Sequence, residues 1–292
     1  MDFTDKVVFV TGASRGIGEY IAYEFASLGA DVALMAKSSN DARHKVFGGT
    51  VEETAEKVES YGRRALAIQG DVSLEPDVNA AFEATMDAFG RCDILVNNAA
   101  VSYVSPFLEL SVKRWQILLN VNVLGPVMLA KAFLPQMLER GDGRIVNITS
   151  GAGRMQQNPG AMATNVAGGG GQGGLVMGEA SFGQAGQGLG DSLLAYGTSK
   201  AALNRFTVGL AQETAGQGVG VNGLGVSAVT PAYRYTLPNA DYSTNELEEA
   251  PAQVTCWLAS QPAEATGNIY EQGEVIGDLR AQGIVRPKVD PT

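Results

Sequence analysis

Short continuous runs of apolar residues alternate along the chain with longer segments in which apolar residues recur every three or four positions. Residues 6–11 form the first such run, which is typical of a strand buried on both faces of a parallel sheet. Residues 16–28 follow with helical spacing, and Gly29 then favours a helix end. The same pattern predicts further strands at 31–36, 65–70, 93–97, 144–149, 219–224 and 268–271, and helices at 50–62, 75–89, 112–138, 196–215 and 246–260.

Strands that alternate with helices in this way are joined by right-handed crossovers. We therefore predict an α/β fold of the Rossmann type, a doubly wound parallel sheet of about seven strands with helices on both faces. Residues 1–292 are interpreted as a single domain, with a variable C-terminal region at 226–292 on the side where a substrate would bind.

Two segments interrupt the alternation. Residues 38–49 form a polar loop with the only histidine, His44, which we interpret as a solvated side chain and not as a catalyst. Residues 151–195 separate a predicted strand from a predicted helix, and nearly half of residues 167–190 are glycine. Loops this long are usually functional or disordered. The insertion at about 161–190 is therefore predicted to be a lid or pocket wall, a subunit contact or a disordered excursion.

Composition narrows the classes of function. The net charge of −10 and the absence of a basic cluster argue against nucleic acid and against an anionic membrane surface as partners. Cys92 and Cys256 lie far apart without metal-ligand spacing, so we expect two reduced thiols and no metal site. The N-terminus does not resemble a signal peptide, and no apolar run approaches 18 residues. The prediction is a cytoplasmic protein without a membrane span.

The first strand leads into a glycine-rich turn that opens a helix, which is the context of a phosphate-binding loop. Gly12 permits the tight turn, Gly16 allows the backbone to approach a pyrophosphate, and Gly18 allows close helix packing. The helix N-terminus offers free N–H groups to the phosphates. The cofactor-binding residues predicted in this loop are Gly12, Ser14, Arg15, Gly16, Ile17 and Gly18.

A second motif places a phenol and an ammonium together. Tyr196 and Lys200 are four residues apart on a predicted helix, so their side chains lie on one face and can share a pocket. A phenol beside an ammonium and a nucleotide site indicates redox chemistry between a carbonyl and an alcohol. Either motif alone would be weak, but the two together point to one active site.

These motifs occur in a known order. The run from Thr11 to Gly18, Asp71-Val72, the run from Asn97 to Ala100, Asn122, Ser150 and the pair Tyr196 and Lys200 follow one another as in the short-chain dehydrogenase/reductase family. The resemblance covers about residues 3–150 and 192–225. The first 150 residues resemble 3-oxoacyl carrier-protein reductases and related ketoreductases, whereas the loop after the second strand is more similar to hydroxysteroid-dehydrogenase-like proteins.

The resemblance implies roles for individual residues. Asp71 and Val72 would flank the adenine, and Asn98 would touch the adjoining ribose. Lys200 would hold the nicotinamide ribose, and Val229 would complete the cofactor contacts. Ser150 would donate a hydrogen bond to the substrate oxygen, although Thr149 is adjacent, and Asn122 would hold a water that links Lys200 to bulk solvent. Two departures are that Ala100 replaces a glycine and that Val226-Ser227 replaces a Pro-Gly pair.

The choice of cofactor can be argued from charge. Enzymes that select NAD place a carboxylate at the end of the second strand for the ribose 2′-hydroxyl, but this chain has Ala36, Lys37 and Ser38 there. Arg15 and Lys37 are suited to pair with a 2′-phosphate instead. The sequence therefore predicts NADP(H) in preference to NAD(H).

The predicted function is an NADP(H)-dependent oxidoreductase that interconverts a ketone and a secondary alcohol by hydride transfer. Tyr196 would be the general acid/base, with its pKa lowered by Lys200. The substrate is predicted to be small and apolar, because Gly, Ala and Met dominate the segment before Tyr196. The alternatives are an NAD-dependent alcohol dehydrogenase of the same family and a catalytically silent nucleotide-sensing or scaffold protein. By resemblance, we expect a homotetramer or homodimer formed through helices 112–138 and 196–215.

Overall fold

The computed structural model describes residues 1–43, 46–154, 193–228, 230, 234 and 246–287, and these contain a seven-stranded parallel sheet. Strand order is β3-β2-β1-β4-β5-β6-β7, so the connections run outward in both directions from β1 and β4, as in a doubly wound sheet. The strands are β1 (Val7–Thr11), β2 (Asp31–Ala36), β3 (Ala65–Gln69), β4 (Ile94–Asn97), β5 (Gly143–Thr149), β6 (Val219–Gly225) and β7 (Ile269–Glu271).

Helices cover both faces of this sheet. They are α1 (Gly16–Ser27), α2 (Val51–Glu59), α3 (Glu75–Phe89), α4 (Val112–Leu119), α5 (Gly125–Arg140), α6 (Leu194–Glu213), α7 (Glu249–Ala259) and α8 (Gln272–Ala281). The predicted Rossmann-type, single-domain fold is confirmed. Three predicted features lie outside the described residues: His44, the insertion at 161–190 and Val229.

Two hydrophobic clusters explain why the strands are apolar along their whole length. On β1, Val8 and Val10 face one cluster with α1, α2, α7 and α8, whereas Phe9 faces a second cluster with α3, α5 and α6. Neighbouring residues of a strand point to opposite faces. Because both faces are covered, the strand has no solvent-facing positions, and all five residues of β1 are buried.

A capping box begins α2. The Thr50 hydroxyl accepts a hydrogen bond from the Glu53 backbone N–H at 3.2 Å, and the Glu53 carboxylate accepts one from the Thr50 backbone N–H at 3.1 Å. These two bonds satisfy N–H groups that have no partner within the helix. They also fix the end of the loop that follows β2, which borders the site described below.

Two helical predictions differ from the structure. The single helix predicted at 112–138 is α4 and α5 joined by a π-helical turn, Asn120–Leu124. Pro126 has no N–H to donate to the Asn122 carbonyl four residues earlier, which favours the wider turn. Helix α8 was not predicted, because Gly273 and Gly277 and its few apolar residues weaken the helical pattern.

Within the described residues, one helical stretch, Val112–Arg140, is long and apolar enough to cross a membrane by composition, with a mean hydropathy of 1.8 over its most apolar 18 residues. The stretch is not an uninterrupted apolar run, because Lys113, Arg114 and Lys131 lie within it. Leu129, Phe133 and Met137 of this stretch pack into the second core cluster. Its inward face is thus a core face of the domain, but only 39% of the apolar window is buried within one chain.

Candidate active site

The phosphate-binding loop between β1 and α1 is shaped by its glycines. Gly12 and Gly16 have positive φ values of 65° and 60°, which side chains with a Cβ rarely adopt. A Cβ on Gly12 would also lie 2.8 Å from the Ala99 Cα. A Cβ on Gly18 would overlap both the Gly12 carbonyl oxygen and Asn98 Nδ2. The loop therefore lies directly against the segment that follows β4, and its backbone is exposed to the cavity above it.

Asn98 and Thr11 hold this loop in place. Asn98 Nδ2 donates to the Thr11 carbonyl at 2.8 Å and to the Gly12 carbonyl at 3.3 Å. The Thr11 hydroxyl accepts from the backbone N–H groups of Asn98 and Ala99, each at 3.0 Å. The sequence did not identify Thr11 as a positioning residue. Since the Asn98 amide N–H groups are already used, the predicted ribose contact, which stays a prediction, would have to use its Oδ1.

One large cavity unites the predicted site. Its volume is about 1090 Å³, more than a drug-sized ligand needs, so a dinucleotide and a small substrate fit together. The predicted residues that line it are Gly12, Ser14, Arg15, Gly16, Ile17, Gly18, Lys37, Asp71, Val72, Asn98, Ser150, Tyr196 and Lys200. Of the other two, Asn122 is buried beneath the cavity and Val229 lies outside the described residues.

At the end of β2, the two predicted cations have protein partners. Arg15 donates to the Gly48 carbonyl at 3.0 Å and to the Ser38 hydroxyl at 2.5 Å, and burial lowers its pKa from the usual arginine value. Lys37 is paired with Asp71 at 2.8 Å. Burial opposes ionisation of Asp71, but hydrogen bonds from Lys37 and Ser73 keep its pKa below the usual value. A bound phosphate would have to share these cations or exchange them.

Ser150 follows the carboxyl end of β5, and Tyr196 and Lys200 lie in the first two turns of α6. All three line the same cavity. The Ser150 hydroxyl accepts from the Ala152 N–H at 3.3 Å and lies close enough to the Tyr196 phenol to act on its pKa. The Lys200 side chain is almost fully buried, and its Nζ donates to the Ile148 carbonyl at 2.8 Å and lies 5.7 Å from the centre of the Tyr196 ring. Thr149 Oγ1 is buried and has no hydrogen-bond partner in the described part of the chain. The geometry therefore favours Ser150 over Thr149 as the hydroxyl that would contact the substrate oxygen.

The pKa values of this pair are governed by burial. Burial raises the pKa of Tyr196 to about 12, although the neighbouring Ser150 hydroxyl acts to lower it. Burial also lowers the pKa of Lys200 to about 8. The expectation that Lys200 lowers the pKa of the phenol is therefore not met in the protein without its cofactor, where burial is the main influence on that pKa. With these pKa values, the phenol is protonated at neutral pH and Lys200 still carries most of its positive charge.

The buried ammonium predicts a specific pH dependence of stability. Lys200 has a folded pKa near 8, below its unfolded value near 10.4, so between these values the unfolded chain binds more protons and stability rises with pH. We expect this group to add about 2 kcal/mol to the free energy of unfolding between about pH 7 and about pH 9.5. Urea unfolding of the wild type and of Lys200→Met would measure it. Parallel pH curves for the two proteins would contradict the prediction.

Asn122 connects the loop after β4 with α6. Its amide accepts from the Val101 N–H and donates to the Val101 carbonyl, both at 2.9 Å, and it donates to the Ser199 hydroxyl at 3.0 Å. Both amide N–H groups are therefore used. Because Pro126 cannot donate to the Asn122 backbone carbonyl, this carbonyl is the group best suited to hold the predicted water. That role stays a prediction, whereas the structure shows Asn122 as a positioning residue.

Two glycines bring Ser150 and the helix together. A 3₁₀ turn, Gly151–Gly153, follows Ser150, and a Cβ on Gly153 would lie 2.8 Å from the Lys200 carbonyl carbon. A Cβ on Gly197 would lie 2.6 Å from the Ala152 carbonyl oxygen. The turn and α6 thus pack backbone against backbone. This close packing holds the turn that begins at Ser150 against the helix that carries Tyr196.

The substrate end of the cavity is uncharged in the described part of the chain. Its lining there includes Val101, Tyr103, Val104, Ile117, Val121 and Leu193. On the opposite side, Val226 and Ser227, which stand in place of the expected Pro-Gly pair, also line the cavity. The Ser227 N–H donates to Gln272 Oε1 at 3.1 Å, so the start of α8 holds this loop.

A nucleotide-sized cavity above a glycine-rich turn, with a serine, a tyrosine and a lysine at its far end, defines a Rossmann-fold oxidoreductase site. The family model for short chain dehydrogenases matches residues 6–164, which is more than half of the chain. The protein belongs to the short-chain dehydrogenase family and is an oxidoreductase of that family.

Individual relatives agree with this assignment. A 3-oxoacyl acyl-carrier-protein reductase from Synechocystis is 31% identical over 268 residues, which is 91% of this chain and 88% of that protein. Hydroxysteroid dehydrogenase-like protein 2 from Mus musculus is 38% identical over 142 residues, 49% of this chain and 29% of that protein. A metagenomic short-chain oxidoreductase solved in complex with NADP has a TM-score of 0.67 and 26% identity, covering 92% of this chain and 97% of that one. Both resemblances noted in the sequence are confirmed.

Proposed function

We propose that this protein is an NADP(H)-dependent oxidoreductase that interconverts a ketone and a secondary alcohol by hydride transfer. The observation that carries the proposal is that Ser150, Tyr196 and the buried Lys200 line one end of the same cavity, with the Lys200 Nζ 5.7 Å from the centre of the Tyr196 ring. The bound dinucleotide would supply or accept the hydride. The glycine-rich loop fits such a group, because Gly12, Gly16 and Gly18 line the cavity at the N-terminus of α1.

The chain's own residues would handle the proton and the developing charge. In reduction, Tyr196 would donate its proton to the carbonyl oxygen of the substrate, and in oxidation it would take that proton back. Ser150 would share a hydrogen bond between Tyr196 and the substrate oxygen, which stabilises negative charge as it develops there. Lys200, held by the Ile148 carbonyl, would keep a positive charge beside the phenolate.

Preference for NADP(H) is supported by the charges around the end of β2. Arg15 and Lys37 line the cavity there with the hydroxyl of Ser38, and no carboxylate ends β2. Ser39 beside them is buried and its hydroxyl has no partner in the described ranges. A similar structure was solved with NADP. The Lys37–Asp71 pair is exposed on its lysine side, so exchanging it for a phosphate costs little.

The cofactor preference has a direct test. We expect kcat/KM to be at least about tenfold higher for NADPH than for NADH, since a charge-assisted bond to a phosphate is worth about 1.5 kcal/mol or more. Arg15→Ala should remove most of this ratio by lowering kcat/KM for NADPH alone. Arg43→Ala, which breaks an exposed pair with Glu53 near the same loop, is the matched control and should leave the ratio unchanged. If the wild type has an equal or higher kcat/KM with NADH, the proposed preference for NADP(H) is wrong and NAD(H) is the cofactor.

The substrate is proposed to be a small, neutral, apolar ketone or its alcohol. The support is the uncharged wall formed by Tyr103, Val104, Ile117 and Leu193, which offers no described partner for a carboxylate or a phosphate on the substrate. Screening neutral cyclic, aromatic and acyclic ketones against charged keto acids, with nicotinamide absorbance as the readout, tests this class. Faster turnover of the charged members would contradict it.

A homodimer or homotetramer is also proposed. Only 39% of the apolar window of Val112–Arg140 is buried within one chain, and Leu119 and Leu124 of this stretch are exposed, as is Leu194 of α6. Contact between two copies would remove this surface from water. Sedimentation equilibrium would give the mass, and a monomer at micromolar concentration would exclude the assembly. The predicted cytoplasmic location stays a prediction.

A further inference from the structure

A carboxylate from the last strand lies under two loops of the active site. Glu271 ends β7, and its side chain is only 14% exposed. A Cβ on Gly225, at the end of β6, would lie 2.6 Å from Glu271 Oε1, so the carboxylate fills the space that this glycine leaves. A Cβ on Gly151, in the turn after Ser150, would lie 3.7 Å from Glu271 Oε2. Glu271 therefore packs against the end of β6 and lies beside the turn that follows β5.

Arg154 supplies the counter-charge. Its Nε donates to Glu271 Oε1 at 2.9 Å, and its Nη2 donates to Glu274 Oε1 at 2.7 Å. A largely buried carboxylate is costly without a partner. Burial already raises the pKa of Glu271 above its usual value, and Arg154 acts against that rise. Without Arg154, the Glu271 carboxylate would have to take up a proton or move away from Gly225 toward solvent.

The turn that carries Arg154 also carries Ser150. It is five residues long, and the backbone N–H of Gly153 donates to the Ser150 carbonyl at 2.8 Å. On one side its glycine backbone packs against Lys200 and Gly197 of α6. On the other side Arg154 and Glu271 hold it to β7. The turn is thus clamped between the helix of Tyr196 and the last strand.

We propose that the Arg154–Glu271 ion pair is a positioning device that holds the turn after β5 so that the Ser150 hydroxyl stays on Tyr196. Arg154 and Glu271 do not line the cavity, so they act through Ser150 and not on the substrate. The proposal rests on the proposed function for its effect on turnover, but not for the geometry that it describes. Neither Arg154 nor Glu271 belongs to any of the sequence motifs described above.

The expected kinetic effect is selective. Arg154→Ala should lower kcat about tenfold, because a small misplacement of a catalytic hydroxyl has effects of that order or larger. The KM for the cofactor should change less than about twofold, since the phosphate loop is at a different part of the cavity. Arg154→Lys keeps a cation for Glu271 and should recover most of kcat. Lys6→Ala is the matched control, because it breaks the exposed Lys6–Asp142 pair of 2.9 Å at the amino ends of the strands.

A second readout needs no turnover. In protein labelled with 13Cζ-tyrosine, the Tyr196 resonance is assigned by its loss in Tyr196→Phe, and Ser150→Ala gives its position without the Ser150 hydroxyl. Arg154→Ala should move the resonance toward that position. The double variant Arg154→Ala/Glu271→Gln should leave it displaced, because the turn still lacks its tether to β7, whereas a return to the wild-type position would show that only the unpaired charge mattered. Lys6→Ala should leave it in place.

The outcomes separate the two claims. A resonance that does not move in Arg154→Ala, or that moves equally in Lys6→Ala, would overturn the positioning role. If the resonances follow the expected pattern but the wild type turns over no ketone or alcohol with either cofactor, the positioning role stands and the proposed function fails. Normal kcat in Arg154→Ala beside an active wild type would also contradict the proposal.

Discussion

Tyr196→Phe is expected to lower kcat by about 10³-fold or more, within the range that general acid–base catalysis contributes. The change removes one oxygen, and with it the proton donor that lies close to Ser150. The affinity for NADPH should change by less than about threefold, because the phosphate loop and the Asn98 clamp are untouched. Stopped-flow single turnover would measure the chemical step, and quenching of protein fluorescence would measure cofactor binding.

Tyr103→Phe is the matched control for this prediction. Tyr103 lines the same cavity, but its ring is stacked under Arg114 and is not placed beside Lys200. The same loss of one oxygen should therefore leave kcat within about threefold of the wild type. Retained activity in Tyr196→Phe would remove the proposed mechanism. A wild type that binds NADPH yet turns over none of the ketones would instead favour the nucleotide-sensing alternative.

Much of the fold could be predicted because the sheet is buried on both faces. Strands such as β1 and β2 have no solvent-facing positions, so they stand out as continuous apolar runs. The glycine loop and Ser150 each follow a predicted strand, so the sequence also predicted that the site lies at the carboxyl ends of the strands. Helix α8 was missed for the opposite reason, since it buries only a few residues and carries two glycines.

The partners of the polar side chains could not be predicted. Arg154 and Glu271 are 117 residues apart, and no local pattern indicates that they meet. Arg15 was correctly placed in the loop, but its bonds to Ser38 and Gly48 depend on how the chain after β2 folds back. The pKa of Tyr196 depends in the same way on burial, which a motif does not report.

The break between α4 and α5 could have been predicted from the position of Pro126. Pro126 lies four residues after Asn122, at the position whose N–H would bond the Asn122 carbonyl in an α-helix. A proline at this spacing inside a long helical pattern indicates a local break. Here it coincides with a π turn at the floor of the site, a feature often found at functional positions.

Gly18→Ala is expected to weaken binding of the dinucleotide by about 100-fold, the loss of two charge-assisted hydrogen bonds at about 1.5 kcal/mol each. The added methyl group would overlap the Gly12 carbonyl oxygen and Asn98 Nδ2, so either the phosphate loop or its clamp must move. The free energy of unfolding should fall by about 1–3 kcal/mol, as for other overpacked sites. Isothermal titration with NADPH and urea unfolding measure the two effects.

Gly277→Ala provides a control in which only the surroundings differ. Gly277 is also inside a helix, α8, but an added Cβ there meets nothing within 4 Å. Because alanine is the better helix former, this change should raise the free energy of unfolding by about 0.5–1 kcal/mol and leave NADPH affinity unaltered. The same substitution is thus expected to have opposite signs at the two sites. If Gly18→Ala is as stable as the wild type and binds NADPH normally, the loop tolerates a Cβ at this position and the prediction is wrong.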